Sequence, residues 1–175
     1  MINLVPIENR KQELLNFGFP KAFIDNIGNI AELRSRVENV DGAYFYLPQI
    51  SNYKILKDQT VIPIFDSGER FCVLIGNDEV KRIICFELEN DEIYNDYGEN
   101  WRMLLMDIMI QYFDDQIDND ISMERFVSVG EKIGFQESRQ LFNLRNLPID
   151  VYNAKFEDQD TWRLEISKEL KIQSS

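Results

Sequence analysis

Two apolar runs, Phe71-Cys72-Val73-Leu74-Ile75 and Ile83-Ile84-Cys85-Phe86, stand on either side of Gly76-Asn77-Asp78-Glu79 and its flanking residues. A strand with one face in water alternates polar and apolar residues, whereas a continuous apolar run must be covered on both faces. The two runs and their Gly-Asn-Asp turn therefore predict a hairpin of central strands over residues 71–75 and 82–88. Val61-Ile62-Pro63-Ile64-Phe65 predicts another strand. Pro63 lacks an N–H, so that strand must lie at an edge or carry a bulge. Ala43-Tyr44-Phe45-Tyr46-Leu47, after an Asp41-Gly42 turn and before Pro48, also predicts a strand.

Helical patterns precede and follow these strands. Residues 8–16 read as a helix closed by Gly18, with Phe19 supplying the apolar contact that accompanies a left-handed cap. Pro20 suits the first position of a second helix bearing Phe23, Ile24 and Ile27 and ended by Gly28. Ile30, Leu33 and Val37 have helical spacing and suggest a further short helix. Trp101, Leu104, Leu105, Ile108, Met109, Tyr112 and Phe113 form a broad stripe on a helix over residues 101–117, with Arg102, Asp107, Gln111, Asp114 and Asp115 off it. Residues 122–133 predict a helix that buries Phe126, Val129 and Ile133. Gly134-Phe135 repeats the Gly18-Phe19 device, and residues 136–143 begin another helix. Residues 151–157 and 161–167 alternate, which predicts a hairpin about Asp158-Gln159-Asp160 with a single helix as the competing reading.

At 175 residues, one core with a small appended lobe is the natural size. A composition shift near Gln116 places the boundary between residues 1–117 and an extension, residues 118–175, packed on the same core. No apolar run approaches the ~18 residues of a membrane span. Residues 1–7 lack the basic start of a signal peptide, so a cytoplasmic chain is expected.

Several chemistries are removed by what the chain lacks. It has no histidine, which excludes Ser-His and Cys-His nucleophile pairs, imidazole bases and histidine metal ligands. Cys72 and Cys85 are its two cysteines, too few for a four-cysteine zinc site. Both lie in apolar runs and read as buried core thiols that could face each other across the hairpin. No Gly-rich phosphate-binding motif occurs. A net charge of −12 opposes nucleic-acid binding. The acidic segment 114–120 invites a calcium loop, but the EF-hand template needs Gly at loop position 6 and Glu at position 12. Met123 and Val129 stand there in one frame, and Asn119 and Arg125 in the other. No cofactor and no metal site are expected. With 31 carboxylates, accidental acid–base pairs are certain, so none marks an active site.

The charge is concentrated. Residues 87–120 hold eleven carboxylates (Glu87, Glu89, Asp91, Glu92, Asp96, Glu99, Asp107, Asp114, Asp115, Asp118 and Asp120) and one base, Arg102, a net of −10. Such a block makes a directional field that steers basic partners.

The order of elements resembles the SUKH superfamily, which includes a yeast cell-wall synthesis regulator and many bacterial immunity proteins. The matching pieces are Phe19-Pro20-Lys21-Ala22-Phe23-Ile24, then Val61-Ile62-Pro63-Ile64-Phe65, then Ser67-Gly68-Glu69-Arg70 leading into the strand from Phe71. Ile83-Ile84-Cys85-Phe86-Glu87 and the Trp101 helix follow. Together they span roughly residues 14–117. The chain departs from the family at Asn26-Ile27-Gly28-Asn29, where an Asn-Gly-Gly-like end is usual, and beyond residue 118. The resemblance implies an α+β fold, a mostly antiparallel sheet flanked by helices, here with a C-terminal helical or hairpin extension, and a non-catalytic protein that binds and neutralises a cognate protein toxin. The acidic block fits a basic, nuclease-like toxin. Asp91, Glu92, Tyr94, Asp96, Tyr97, Glu99, Asp114, Asp115 and Asp118 are the expected contact residues, with Tyr94 and Tyr97 as anchors. A regulatory scaffold is the second function the resemblance implies. A carboxylate- or metal-dependent hydrolase is the third reading considered.

Overall fold

The computed structural model describes residues 2–77, 79–116 and 119–173. In chain order its elements are β1 (Asn3–Leu4), α1 (Ile7–Phe17), α2 (Lys21–Asn26), a 3-10 turn (Ala31–Leu33), α3 (Asp41–Tyr46), β2 (Thr60–Ser67), β3 (Arg70–Gly76), β4 (Lys81–Glu87) and β5 (Ile93–Gly98). The helices α4 (Trp101–Asp115), α5 (Met123–Ile133), α6 (Ser138–Arg145), α7 (Ile149–Phe156) and α8 (Gln159–Glu169) follow. The class is α+β. Two compact units divide the chain, Met1–Trp101 and Arg102–Ser175. The expected boundary after residue 117 followed a composition shift; the division falls earlier, between Trp101 and Arg102.

The first unit holds the sheet, in the order β1-β2-β3-β4-β5, with β1 parallel to β2 and every other pair antiparallel. The central hairpin forms as its sequence predicts. Residues 71–75 and 83–86 are buried throughout, and Cys72 lies opposite Cys85 with their sulfurs 2.8 Å apart. Val61, Phe71, Val73, Ile75, Ile84 and Phe86 share one cluster with Ala43 and Leu47 of the α3 region and Leu56 of the following loop. At the end of α1, the Gly18 N–H reaches the Leu15 carbonyl at 3.0 Å and the Phe19 N–H reaches that of Leu14 at 3.1 Å. This is a Schellman cap. Gly134 and Phe135 close α5 in the same pattern, onto Glu131 and Gly130.

Both readings of Pro63 hold at once. The register of β2 against β3 shifts between Pro63 and Phe65, and β1 pairs only as far as Val61. The carbonyls of Pro63 and Ile64 instead accept from the buried Arg10 guanidinium of α1, the Nε bond to Pro63 being 2.6 Å. Burial lowers the Arg10 pKa, opposed by nearby Tyr44 and Asp66.

The strand expected over residues 43–47 is helix α3. Its aromatic residues favour strands only weakly against tertiary context. Here Asp66, 2% exposed, turns its carboxylate from β2 to accept the Ala43 N–H at 2.8 Å, a cap supplied from 23 residues away. Asn39 accepts the Asp41 N–H at 2.9 Å. Two orphan donors of the helix start are thus satisfied from outside it. The Tyr44 hydroxyl donates to the Val5 carbonyl at 2.9 Å. In the 30–37 segment only a 3-10 turn forms, yet Ile30, Leu33 and Val37 are all buried as their spacing predicts.

The second unit is helical. Tyr112, Phe113, Phe126 and Phe142 from α4, α5 and α6 interlock, with ring centroids 5.5–6.0 Å apart. The α4 stripe is broader than expected, because Met106, Asp107 and Ile110 are buried with it. The segment read as a hairpin or one helix is two helices, α7 and α8. Asp158 breaks them apart by accepting from the Thr161 N–H at 3.1 Å and its hydroxyl at 2.8 Å, a helix N-cap. Trp162 and Ile166, one helical turn apart, are buried while Leu164 is exposed. Tyr152 meets Trp162 edge to face at 5.7 Å.

Two stability outcomes follow. Asp66→Ala removes the acceptor at the start of α3 and is expected to cost about 1–3 kcal/mol in urea unfolding. A Cβ on Gly130 would sit 1.7 Å from the Ser138 hydroxyl. Gly130→Ala is therefore expected to destabilise by about 1–3 kcal/mol despite alanine's better helix propensity. Ser138→Gly in the same chain should recover part of that loss in calorimetry.

Candidate functional site

The strand β5 ends the sheet, and none of its residues is fully buried. Its pairing with β4 is broken twice. Phe86 lies opposite Ile93 and Cys85 opposite Asn95, so Tyr94 is the extra residue of one bulge. Ile84 lies opposite Asp96 and Ile83 opposite Gly98, so Tyr97 is the extra residue of a second. Bulges on an edge strand re-aim side chains and blunt pairing with another strand. The two tyrosines singled out from sequence are thus the residues set apart from the ladder. Tyr94 is 50% exposed and Tyr97 half-buried. Burial of part of the Tyr94 ring raises its phenol pKa, helped by the nearby Cys85 and Cys72. It stays a neutral hydroxyl at physiological pH, suited to an amphipathic contact.

The carboxylates around this edge divide by what they touch. Glu92, Asp96 and Glu99 are exposed. Asp96 accepts from Arg82 at 2.7 Å and from the Gly98 N–H at 3.0 Å. Glu87 pairs loosely with Arg70 at 3.4 Å, both ends half exposed. Asp91 has an internal task. It accepts the Lys54 N–H at 2.8 Å and the Ile55 N–H at 3.2 Å, tying the loop before β2 to the loop before β5. The Tyr53 hydroxyl reinforces that tie with a 2.5 Å bond to the Leu88 carbonyl.

Asp114 and Asp115 belong to the second unit, and Asp118 lies outside the described residues. Asp115 is exposed. Asp114 stands near the end of α4, where the helix dipole disfavours negative charge, and from sequence a partner or an ion is the motive for it. Its partner is internal. Arg145 of α6, 2% exposed, donates to Asp114 Oδ1 from Nε at 3.0 Å and Nη2 at 2.7 Å. The same guanidinium lies 3.2 Å over the Tyr152 ring and 4.6 Å over that of Phe113. Burial raises the Asp114 carboxyl pKa although Arg145 opposes it. Burial, with Asp114 beside it, pushes the Tyr152 phenol up to about 12. Asp107 is likewise enclosed, held by Arg163 of α8 through bonds of 2.8 and 2.5 Å.

Sequence reading missed Arg145, Arg163, Arg10 and Asp66. The one available signal was Asp114 itself, a carboxylate at the wrong end of a helix. Among the described residues, no three potential metal ligands are grouped as an ion site needs, and no helix is long and apolar enough to cross a membrane. No protein-family model, no curated protein and no solved structure matches this chain.

The division of carboxylates has a measurable consequence. All the Asp114 contacts converge on Oδ1, which an amide oxygen can replace. The raised pKa means that the folded chain holds the Asp114 proton more tightly than the unfolded chain. Its titration therefore favours folding as pH falls through the raised value, and its charge is a cost at neutral pH. Asp114→Ala is expected to destabilise by about 2–3 kcal/mol by leaving the Arg145 guanidinium without its acceptor. Asp114→Asn should lose less than half as much. Glu92→Ala should stay within about 0.5 kcal/mol of the parent in the same denaturant titration.

Proposed function

We propose that this chain is a non-catalytic immunity protein that binds and neutralises a basic protein toxin through the β5 edge. The observation that carries this reading is the placement of Tyr94 and Tyr97 at two bulges among the exposed carboxylates Glu92, Asp96 and Glu99. Stable interfaces need a desolvated aromatic or apolar anchor, with charges around it that speed encounter and set orientation. The edge supplies both. A toxin that grips phosphates carries a basic surface, and the net charge of −12 draws it in. The SUKH-like order of elements supports the same reading, and a cytoplasmic site of action is part of the proposal. Asp91 and Asp114 serve internal structure, Asp115 belongs to the second unit and Asp118 lies outside the described residues, so the contact set at this edge narrows to Glu92, Tyr94, Asp96, Tyr97 and Glu99.

The test is co-expression with the toxin encoded beside this chain's gene, together with stopped-flow association. The parent chain should restore growth. Glu92→Lys with Glu99→Lys is expected to slow association by about tenfold at low salt and to flatten its salt dependence. Tyr94→Ala should act mainly on dissociation, speeding it about tenfold or more. Unchanged kinetics in all these variants, with toxin still bound, would move the interface away from β5. A chain that binds several endogenous proteins and no linked toxin would support the regulatory-scaffold function instead.

A further inference from the structure

A cavity of about 410 Å³ opens in the first unit, lined by Lys54, Ile55, Gln59, Ile75, Gly76, Asn77, Val80, Arg82 and Ile93. Its volume is in the range of small-molecule sites. Its chemistry departs from the rest of this acidic chain. Among the described residues, the lining holds two cations, two amides and four branched aliphatic residues, and neither a carboxylate nor an aromatic ring. Arg82 is engaged through one N–H with Asp96, and a guanidinium carries five donors in all.

The walls are held in place. Asp91 pins the backbone of Lys54 and Ile55 through both carboxylate oxygens. Elsewhere on the lining, the Asn77 side-chain oxygen accepts the N–H groups of Glu79 at 2.9 Å and Val80 at 2.8 Å. Gly76 has φ 150°, and a Cβ there would lie 2.0 Å from the Val80 carbonyl oxygen, so only glycine lets this corner close. Ile75 and Arg82 are register partners in the sheet itself. Such preorganisation lowers the entropic cost of binding. Val80 is 60% exposed at the rim, an apolar group that a ligand would cover.

We infer that this cavity binds a small aliphatic carboxylic acid, its chain against Ile55, Ile75, Val80 and Ile93 and its carboxylate between Lys54 and Arg82. Aliphatic walls without rings favour an alkyl chain over a stacked aromatic. Two cations on the lining select an anion even though the long-range field of the chain repels one. Nothing in this site depends on the β5 edge being a toxin-binding surface.

Octanoate is the probe, titrated into the full chain by calorimetry and followed by amide chemical shifts. Saturable binding is expected, with shifts at Ile55, Asn77, Val80 and Ile93. Octylammonium and octanol should each bind at least about tenfold more weakly, since a charge-assisted hydrogen bond is worth about 1.5–3 kcal/mol. Lys54 is exposed, so Lys54→Glu should fold normally and weaken octanoate binding by about tenfold or more. Val80→Trp, which fills the rim, should block binding without changing the sheet spectrum. No saturable octanoate binding, equal affinity for octylammonium or octanol, or full affinity in Lys54→Glu would each overturn the assignment.

Discussion

Pro63 cannot donate to a strand neighbour, and the register of β2 shifts just after it. Its carbonyl and that of Ile64 are still obligatory acceptors, and β1 is too short to reach them. The buried Arg10 guanidinium answers that need, which positions α1 against β2. Beyond the shift in register Asp66 caps α3, while its backbone N–H bonds to the Asn39 carbonyl at 2.7 Å and its carbonyl to the Glu38 N–H at 2.9 Å. One irregularity in one strand thus sets where a helix, a second helix and the segment between them attach. Burying these charged groups is costly unless every partner is present. That cost makes the arrangement specific.

A second organising fact is how the fold distributes charge. Residues 87–120 look in sequence like one anionic surface. In the structure Arg70, Arg82, Arg145 and Arg163 come from outside that segment to Glu87, Asp96, Asp114 and Asp107. Asp91 is turned to backbone donors. The pairs differ in weight. Arg70 with Glu87 is exposed and screened, worth little. Arg145 is enclosed, and loss of Asp114 would strand a buried cation, whereas Arg163 is partly exposed and also faces Asp160 at 3.4 Å. What remains outward at β5 is a shorter list of carboxylates around two tyrosines. That contraction makes the proposed docking edge more definite than the charge block was.

Legibility followed the range of the interactions. Helix ends at Gly18 and Gly134, the hairpin with its facing cysteines, and the buried sets Phe23 and Ile24 or Phe126, Val129 and Ile133 are local patterns, and all stand where the residues place them. The tyrosine-bearing edge was legible as a place, but its two bulges were not, because register belongs to two strands together. The failures were at residues 43–47 and 151–167. There, alternating aromatic residues suit a strand and a short helix almost equally, and the decision went to a cap. For α3 the cap is a carboxylate on β2. For α8 it is Asp158, which was present in the sequence but read as a turn.

By itself, then, the amino-acid sequence determined a hairpin covered on both faces, most helix limits and the absence of imidazole chemistry. These rest on periodicity, capping and residue type, which act within a few residues. The tertiary structure alone decided that α3 is a helix, that Asp91, Asp107 and Asp114 serve the interior, and that Tyr94 and Tyr97 leave the ladder. It also decided that Lys54 and Arg82 line an aliphatic cavity in an acidic chain. The reason is common to all of these. A charge or a backbone donor takes its meaning from the partner that satisfies it, and those partners lie tens of residues away along the chain.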